Sequence, residues 1–405
     1  MTIVRPFAAI RPARDKAHLV ASRSYVSYTK KDLRDKLIGN PYSFLHIIHP
    51  DMGSKKLHKA QGEERLHLVR SKFEEFCADG ILEKENKPLF YIYRQIKNGH
   101  PFTGLIAAVS VDDYKNGKIK IHEQTLSKRQ STFTQYLEVT GINAEPVLLM
   151  AQHSKEIEEI YSHYLDYRPE YDFTTTNRDR HQLWMVDRDE DIAAIQAAYE
   201  KMPALYIADG HHRSASSAAL RDNLLSRGPL AEDHPSHLFL AYILDETTVR
   251  IYEFNRLVKD LNGLSTDEFL TQLGHHFYIN ESPAEYKPSR KGEFGLYLDK
   301  QWYCLTLKHS VDQLDAQVLS DIVLGPILNI TDLRKDKRIS FMEGPRGVEA
   351  LRKEVDSKRA AAAFTLFPVS IDELKNIADQ QHTMPPKSTW VEPKLRSGLV
   401  VYELS

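Results

Sequence analysis

Apolar and polar positions along this chain follow two periods, one near 3.6 residues and one of two. In EERLHLVRSKFEEFCADGIL, residues 63–82, Leu66, Val69, Phe73 and Phe76 recur at helical spacing, with Gly80 as a stop. That pattern predicts an amphipathic helix. Upstream, VSYTKKDLRDKLIGNPYSFLHIIHP predicts a helix stopped around Gly39, Asn40 and Pro41, then a short apolar strand ending at Pro50. PLFYIYRQI is aromatic and β-branched enough for a strand. GLIAAVSVDDYKNGKIKIHEQT predicts a hairpin, two β-rich runs around a turn containing Asn116 and Gly117. EPVLLMAQ is a further strand, followed by a charged helix through Glu156 to Tyr164.

From residue 180 the elements alternate. HQLWMVD, ALYIAD and SHLFLAYIL predict strands, separated by the helical stretches DEDIAAIQAAYEKM and RSASSAALRDNLLSR. SFMEG, GVEALRKEVDSK, AAAAFTLFPV and SIDELKNIADQ continue the alternation, and Ser370 and Glu373 have capping-box spacing. A polar loop and a last strand, GLVVYEL, follow. The fold class expected is mixed α/β (α+β). Three closely packed regions are expected, residues 1–175, 176–260 and 261–405, because no Gly/Ser linker separates them.

The bulk properties narrow the function classes. With 54 basic and 56 acidic residues the formal net charge is −2, which gives no support to broad binding of nucleic acid or an anionic membrane. Apolar residues at 41% and charged residues at 27% fit a globular protein. Cys77 and Cys304 lie far apart without metal-type spacing and are expected to be small buried thiols. The N-terminal stretch lacks a sustained apolar signal core and no eighteen apolar residues run together, so a cytoplasmic location is expected.

Three stretches carry candidate chemistry. In ALYIADGHHRSASSAALRDNLL an apolar strand passes through Asp209, Gly210, His211, His212 and Arg213 into a helix with a small-residue face. A helix start presents unpaired N–H groups and the positive end of the dipole. Gly210 lets the backbone approach a ligand, and Arg213 offers a planar fork for phosphate or carboxylate. The plainer reading makes Asp209 a helix cap, the histidines surface residues and Arg213 a carboxylate partner. Adjacent histidines point about 100° apart on a helix and do not chelate one metal comfortably, so one contacts phosphate while the other packs.

In IHEQT, Glu123 is a candidate general base or Mg2+ ligand and His122 its polar partner, against the plainer reading of a solvent-facing strand end. In MPPKSTWVEPK, Pro385 and Pro386 stiffen a loop whose Lys387, Ser388, Thr389 and Lys394 could clamp phosphate, or could simply be an exposed polar loop. Neither the P-loop nor the Gly-x-Gly-x-x-Gly pattern is present, nor a Gly-x-Ser-x-Gly elbow, nor His-Glu-x-x-His.

Taken in order, RPFAAIRP, NPYSFLHIIHPD, LFYIYRQ, GLIAAVSVDDY, KIHEQT, LYIADGHHR and MPPKSTWVEPKLRSGLVVY make nearly the whole chain resemble domain-of-unknown-function family 1015, an uncharacterised bacterial and archaeal family. More distantly, the helix, strand, DGHHR, helix, strand arrangement is similar to the core of the ParB/sulfiredoxin superfamily, in which a Gly-x-x-Arg turn grips nucleotide phosphates. Here that turn is Gly210 to Arg213, and the core falls in residues 176–260. Sulfiredoxin places its catalytic cysteine after the glycine; this chain has His211, so thiol chemistry is not implied. The chain lacks an evident helix-turn-helix region and a net basic charge, so the resemblance does not extend to DNA binding.

A further branch consists of free-serine kinases. The resemblance then implies a small-molecule kinase acting on L-serine or a similar hydroxyl substrate. Asp209, Gly210, His211, His212 and Arg213 would hold phosphates, Glu123 would orient or deprotonate the hydroxyl, and Lys387, Ser388, Thr389 and Lys394 would complete the clamp. ATP or ADP and Mg2+ follow from that chemistry, with Glu123 or Asp209 as the metal-side carboxylate. The alternative is a non-catalytic nucleotide-binding switch of ParB type. A third reading is an interaction protein in which DGHHR only starts a helix. No oligomeric state is implied.

Overall fold

The aromatic run PLFYIYRQI forms the strand Phe90–Lys97 and turns back at once into His100–Ser110. Asn98 and Gly99 make the turn with φ of 51° and 78°, the left-handed pair that a two-residue hairpin loop needs. The hairpin thus lies one Asn-Gly earlier than the sequence pattern placed it. At Asn116-Gly117 the expected hairpin is absent. Ser110 instead caps the helix Val111–Lys115, its hydroxyl accepting from the N–H groups of Asp112 and Asp113. The strand Ile119–Lys120 that follows pairs elsewhere, parallel to Leu205–Asp209. A capping serine with two acids in the first turn favours helix there over a returning strand.

The computed structural model describes residues 2–24, 27–50 and 61–404. Val26, at the start of the VSYTKK stretch, and Asp51, at the end of NPYSFLHIIHPD, lie outside them. The chain divides into two compact units, Met1–Val249 with Pro393–Ser405, and Arg250–Glu392. The boundary expected near residue 175 falls inside the sheet of the first unit, where Tyr171–Thr174 pairs with Arg180–Val186.

That sheet runs in the order Tyr171–Thr174, Arg180–Val186, Phe90–Lys97, His100–Ser110, Leu238–Asp245, Val147–Ala151, Leu205–Asp209, Ile119–Lys120, with Val4–Arg5 alongside His100–Ser110. The first five strands pair antiparallel. Beyond them Leu238–Asp245 runs parallel to Val147–Ala151, and Leu205–Asp209 parallel to Ile119–Lys120. Alternate residues such as Ile92, Leu105, Leu149, Ile207 and Phe239 bury one face against apolar positions of Lys155–Leu165 and Asp189–Glu200, including Ile157 and Ile195.

A separate cluster holds Gly62–Ala78 through Val69, Phe73 and Phe76, packed with Phe44 and Ile47. SFLHII, expected as a strand, is the short helix Leu45–Ile48. Phe44 and Ile47 both point into that helical cluster, which a two-residue period would not allow. GLVVYEL, expected as a strand, bends at residues 398–400 and is ladder-paired only at Tyr402–Glu403, with one further bridge from Val401 to Ile10.

The second unit is an antiparallel sheet ordered Phe277–Ser282, Gln301–Leu307, Glu293–Leu298, Ala362–Leu366, Arg250–Val258, Ile339–Glu343. Thr389–Glu392 pairs with the opening residues of Arg250–Val258. Phe269, Phe294, Leu319 and Phe364 lie in its core. The helix Ile371–Asp379 carries the predicted capping box, Ser370 and Glu373 each bonding the other's backbone N–H.

Candidate functional site

Leu205 lies opposite Ile119 and Tyr206 opposite Lys120 in a parallel pair. Because the two strands run the same way, the segments that leave them, DGHHR and IHEQT, emerge side by side. The strand Leu205–Asp209 shifts register between Ile207 and Asp209, which sets Asp209 opposite Leu148. Gly210 follows with φ 108° and ψ 26°, a conformation that costs a residue with a side chain. A Cβ there would also approach within 3.0 Å of the Arg213 Nε.

The helix His211–Arg227 begins directly after this glycine. Ser214, Ala215, Ser216, Ser217 and Ala218 at its start all lie inside, and so does Leu220, whereas Leu225 near its end is exposed. The helix Ser127–Thr140 packs closely there, with the Ser216 hydroxyl donating to the Gln130 carbonyl at 3.1 Å. No side chain caps the N-terminus and no acidic residue stands in the first turn. Asp209 is therefore not the cap of the plainer reading. Its carboxylate lies 3.3 Å from Arg213 Nη2 and 3.5 Å from Lys394 Nζ. Burial works against ionisation of Asp209, but the Lys394 and Arg213 cations outweigh it and hold its carboxyl below the usual value. Arg213 is anchored a second time, its Nη1 donating to the Pro146 carbonyl.

His211 and His212 differ. His211 is buried and His212 half-buried. The His122 N–H donates to His211 Nε2 at 3.4 Å, which places the His211 ring proton on Nδ1, 3.7 Å from Glu123 Oε2. The His122 and His211 rings meet edge to face, centroids 4.4 Å apart. Burial pushes His122 down to about 4, and burial with the neighbouring His122 drives His211 well below its ordinary value. Both rings are neutral at pH 7. The Glu123 side chain is half-exposed, 46% accessible, and stands on the open side of this pair.

The structure thus gathers His122, Glu123, Asp209, Gly210, His211, Arg213 and Lys394 within the first unit. Lys387, Ser388 and Thr389 belong to the second unit and have partners there. The Lys387 ammonium sits 4.9 Å above the Phe254 ring, the Ser388 hydroxyl donates to the Pro385 carbonyl at 2.8 Å, and Thr389 pairs with Glu253 in the sheet. One group at the Asp209 corner, the Pro146 carbonyl that receives Arg213, has no counterpart among the candidate residues, because a backbone carbonyl leaves no signature in composition. Among the described residues no group of three or more His, Cys, Asp or Glu side chains is placed to hold a metal ion, and no helix is long and apolar enough to cross a membrane.

A mixed α/β unit with an uncapped helix start is the class these features define. The chain belongs to the family described as Protein of unknown function (DUF1015), whose model matches residues 4–320. No curated protein matches it. Among solved structures it is similar to a free serine kinase variant in complex with AMP, at 16% identity and a TM-score of 0.39, covering 77% of this chain and 92% of that one. It is also similar to a conserved hypothetical protein from Pyrococcus furiosus, at 16% identity and a TM-score of 0.38 over 76% and 97% of the two chains. A third is SbnI with a C-terminal truncation from Staphylococcus aureus, at 12% identity and a TM-score of 0.39 over 73% and 85%. Superpositions this loose transfer no ligand and no residue role.

Proposed function

We propose that the Asp209–Arg213 corner binds the phosphates of a nucleotide and that the protein is a small-molecule kinase, taking a free serine-like hydroxyl as acceptor. The observation that carries this reading is the convergence of an uncapped helix start, two cations held by one carboxylate, and the half-exposed Glu123 beside them. Phosphoryl transfer asks mainly for positioning and for neutralisation of developing charge. The Gly210–Arg213 backbone and the Arg213 and Lys394 side chains supply the second, in the manner of the Gly-x-x-Arg grip of the ParB/sulfiredoxin superfamily. Of the two rings His211 is buried and His212 half-buried, and in this reading His212 is the one that meets the phosphates.

The chemistry balances as follows in this reading. The acceptor hydroxyl oxygen attacks the terminal phosphorus of ATP or ADP. The bond from that phosphorus to the bridging oxygen breaks, and its electron pair leaves with the shortened nucleotide. Glu123 takes the hydroxyl proton, with the neutral His211 Nδ1 standing 3.7 Å from that carboxylate. Mg2+ bound with the donor phosphates would supply further neutralisation of their charge, with Glu123 or Asp209 as the carboxylate that would face it. Asp209 is shared by two cations and is the poorer metal partner, which leaves Glu123 as the carboxylate open to either role.

Phosphorus NMR of the protein with Mg2+, ATP or ADP, and L-serine tests the proposal. A growing phosphoserine resonance is expected. Nucleotide lines that broaden without turnover would replace the kinase by the nucleotide-binding switch. Spectra unchanged at every phosphorus would sink both.

A further inference from the structure

The motif RPFAAIRP takes no part in the Asp209 corner, yet the residues at its end build a second feature of the first unit. A groove of about 380 Å³ is lined by Arg14, Ala17 and His18 on one side and by Arg168 to Phe173 on the other. The far side includes the start of Tyr171–Thr174, the edge strand of the sheet. Its back wall is fixed from behind. The buried Arg11 donates from Nη1 to the Tyr171 hydroxyl at 2.9 Å and to Glu170 Oε1 at 3.2 Å, while its Nε bonds Glu85. The Tyr171 hydroxyl in turn donates to the Pro12 carbonyl. Taking a guanidinium and its carboxylates out of water is costly, and what this network secures is a rigid wall.

The charges along the groove are unequal in availability. Its two carboxylates are already committed. Glu170 faces Arg11 and, at 3.9 Å, Arg14. Asp172 receives Arg180 on both oxygens, at 2.8 and 2.6 Å, and Gln182 at 3.0 Å. The cations are not committed in the same way. Arg14 gives one nitrogen to the Pro169 carbonyl at 3.3 Å and is otherwise half-exposed. Arg168 is exposed and has no hydrogen bond or ion pair among the described residues. Pro169 and Phe173, both half-buried, add apolar surface to the groove.

We infer that this groove binds a small organic anion, a carboxylate or phosphate monoester carrying an apolar or aromatic body. Arg14 and Arg168 grip the anionic end, since guanidinium forks match both anions bidentately. Phe173 and Pro169 cover the body. The volume is at the lower end of the roughly 300–1,000 Å³ typical of ligand clefts, which suits a single ring or a short chain. The fixed Tyr171 wall lowers the ordering cost of binding. The inference is independent of the kinase reading, because no residue is shared between the two places.

Isothermal titration of the full chain with phenyl phosphate and with benzoate tests it, with inorganic phosphate and benzyl alcohol as the separate halves. At least one aromatic anion should bind more tightly than either half, and which one binds assigns phosphate or carboxylate. The double variant Arg14→Ala, Arg168→Ala should weaken that binding about tenfold or more, about 1.4 kcal/mol or more, and the same loss should appear in an Arg213→Ala background, where the Asp209 corner no longer contributes. Both replaced side chains are exposed, so matched melting curves verify the fold. The inference is overturned if neither aromatic anion binds at millimolar concentration, or if a half binds as tightly as the whole. It also fails if Arg213→Ala abolishes binding that the double variant retains.

Discussion

Two places in the first unit bury a neutral histidine, and they are built for different ends. His181 is fully enclosed. It shares a 2.6 Å hydrogen bond with the Tyr93 hydroxyl and is stacked between the rings of Tyr93 and Phe173. Burial, with the Arg396 cation adding to it, pushes His181 down to about 3. His211 is driven down by the same cause, yet its ring faces Glu123 at an open helix start with Arg213 and Lys394 close by. A depressed histidine therefore reports lost water in both places. What separates a candidate site from a structural core is the set of polar groups around it that still face outward.

The sharpest way to break this comparison is Glu123→Gln. If the Asp209 corner is a kinase site, turnover should fall about 10²- to 10⁴-fold, the range for a lost general base. Nucleotide affinity and melting temperature should hold, because the side chain is half-exposed. Phosphorus NMR and a binding titration separate the two, and undiminished turnover would remove Glu123 from the mechanism.

Next in size is the response to acid, which both places should share. The folded-state values of His122, His181 and His211 lie below the ordinary 6.5, so their contribution to stability is complete above pH 6.5 and is lost as pH falls toward 4. At pH 5 each can cost up to about 2 kcal/mol. Urea unfolding at pH 7 and pH 5 measures this. In His181→Gln the loss between the two pH values should shrink, whereas an unchanged pH slope would mean that His181 is not held neutral.

Gly210→Ala should act at one place only. Its left-handed φ and the crowding against Arg213 predict a loss of about 1–2 kcal/mol in stability. Nucleotide binding should weaken with it as the guanidinium is displaced. Unaltered binding would detach Arg213 from the ligand. The smallest effect expected is at the hairpin turn, where Gly99→Ala has open space around its Cβ but keeps the strained φ of 78°. About 1 kcal/mol of stability should be lost with binding untouched.

Much of this was legible in the chain. The helix Gly62–Ala78, the strand–helix alternation after residue 180 and the Ser370 capping box follow from periodicity and cap chemistry, which act over a few residues. The two Asn-Gly turns were not equally legible. Both follow β-rich sequence, and only the capping Ser110 with Asp112 and Asp113 turns the second into a helix and a strand with a distant partner. SFLHII failed for a related reason. A short apolar run has no period of its own, and the Phe73 and Phe76 cluster made it helical.

By itself the sequence determined most of the element types and the strand-to-helix turn at Asp-Gly-His-His-Arg with the small residues that follow it. Each is a local property, fixed by steric preference, side-chain size and charge. Only the tertiary structure decided that Glu123, 86 residues before Asp209, stands beside it, that Asp209 binds Arg213 and Lys394 rather than capping the helix, and that His211 is the inward ring. Those outcomes depend on which strands pair and in which direction. Pairing of that kind is settled by burying one face of a sheet drawn from distant parts of the chain, and no short stretch of sequence carries it.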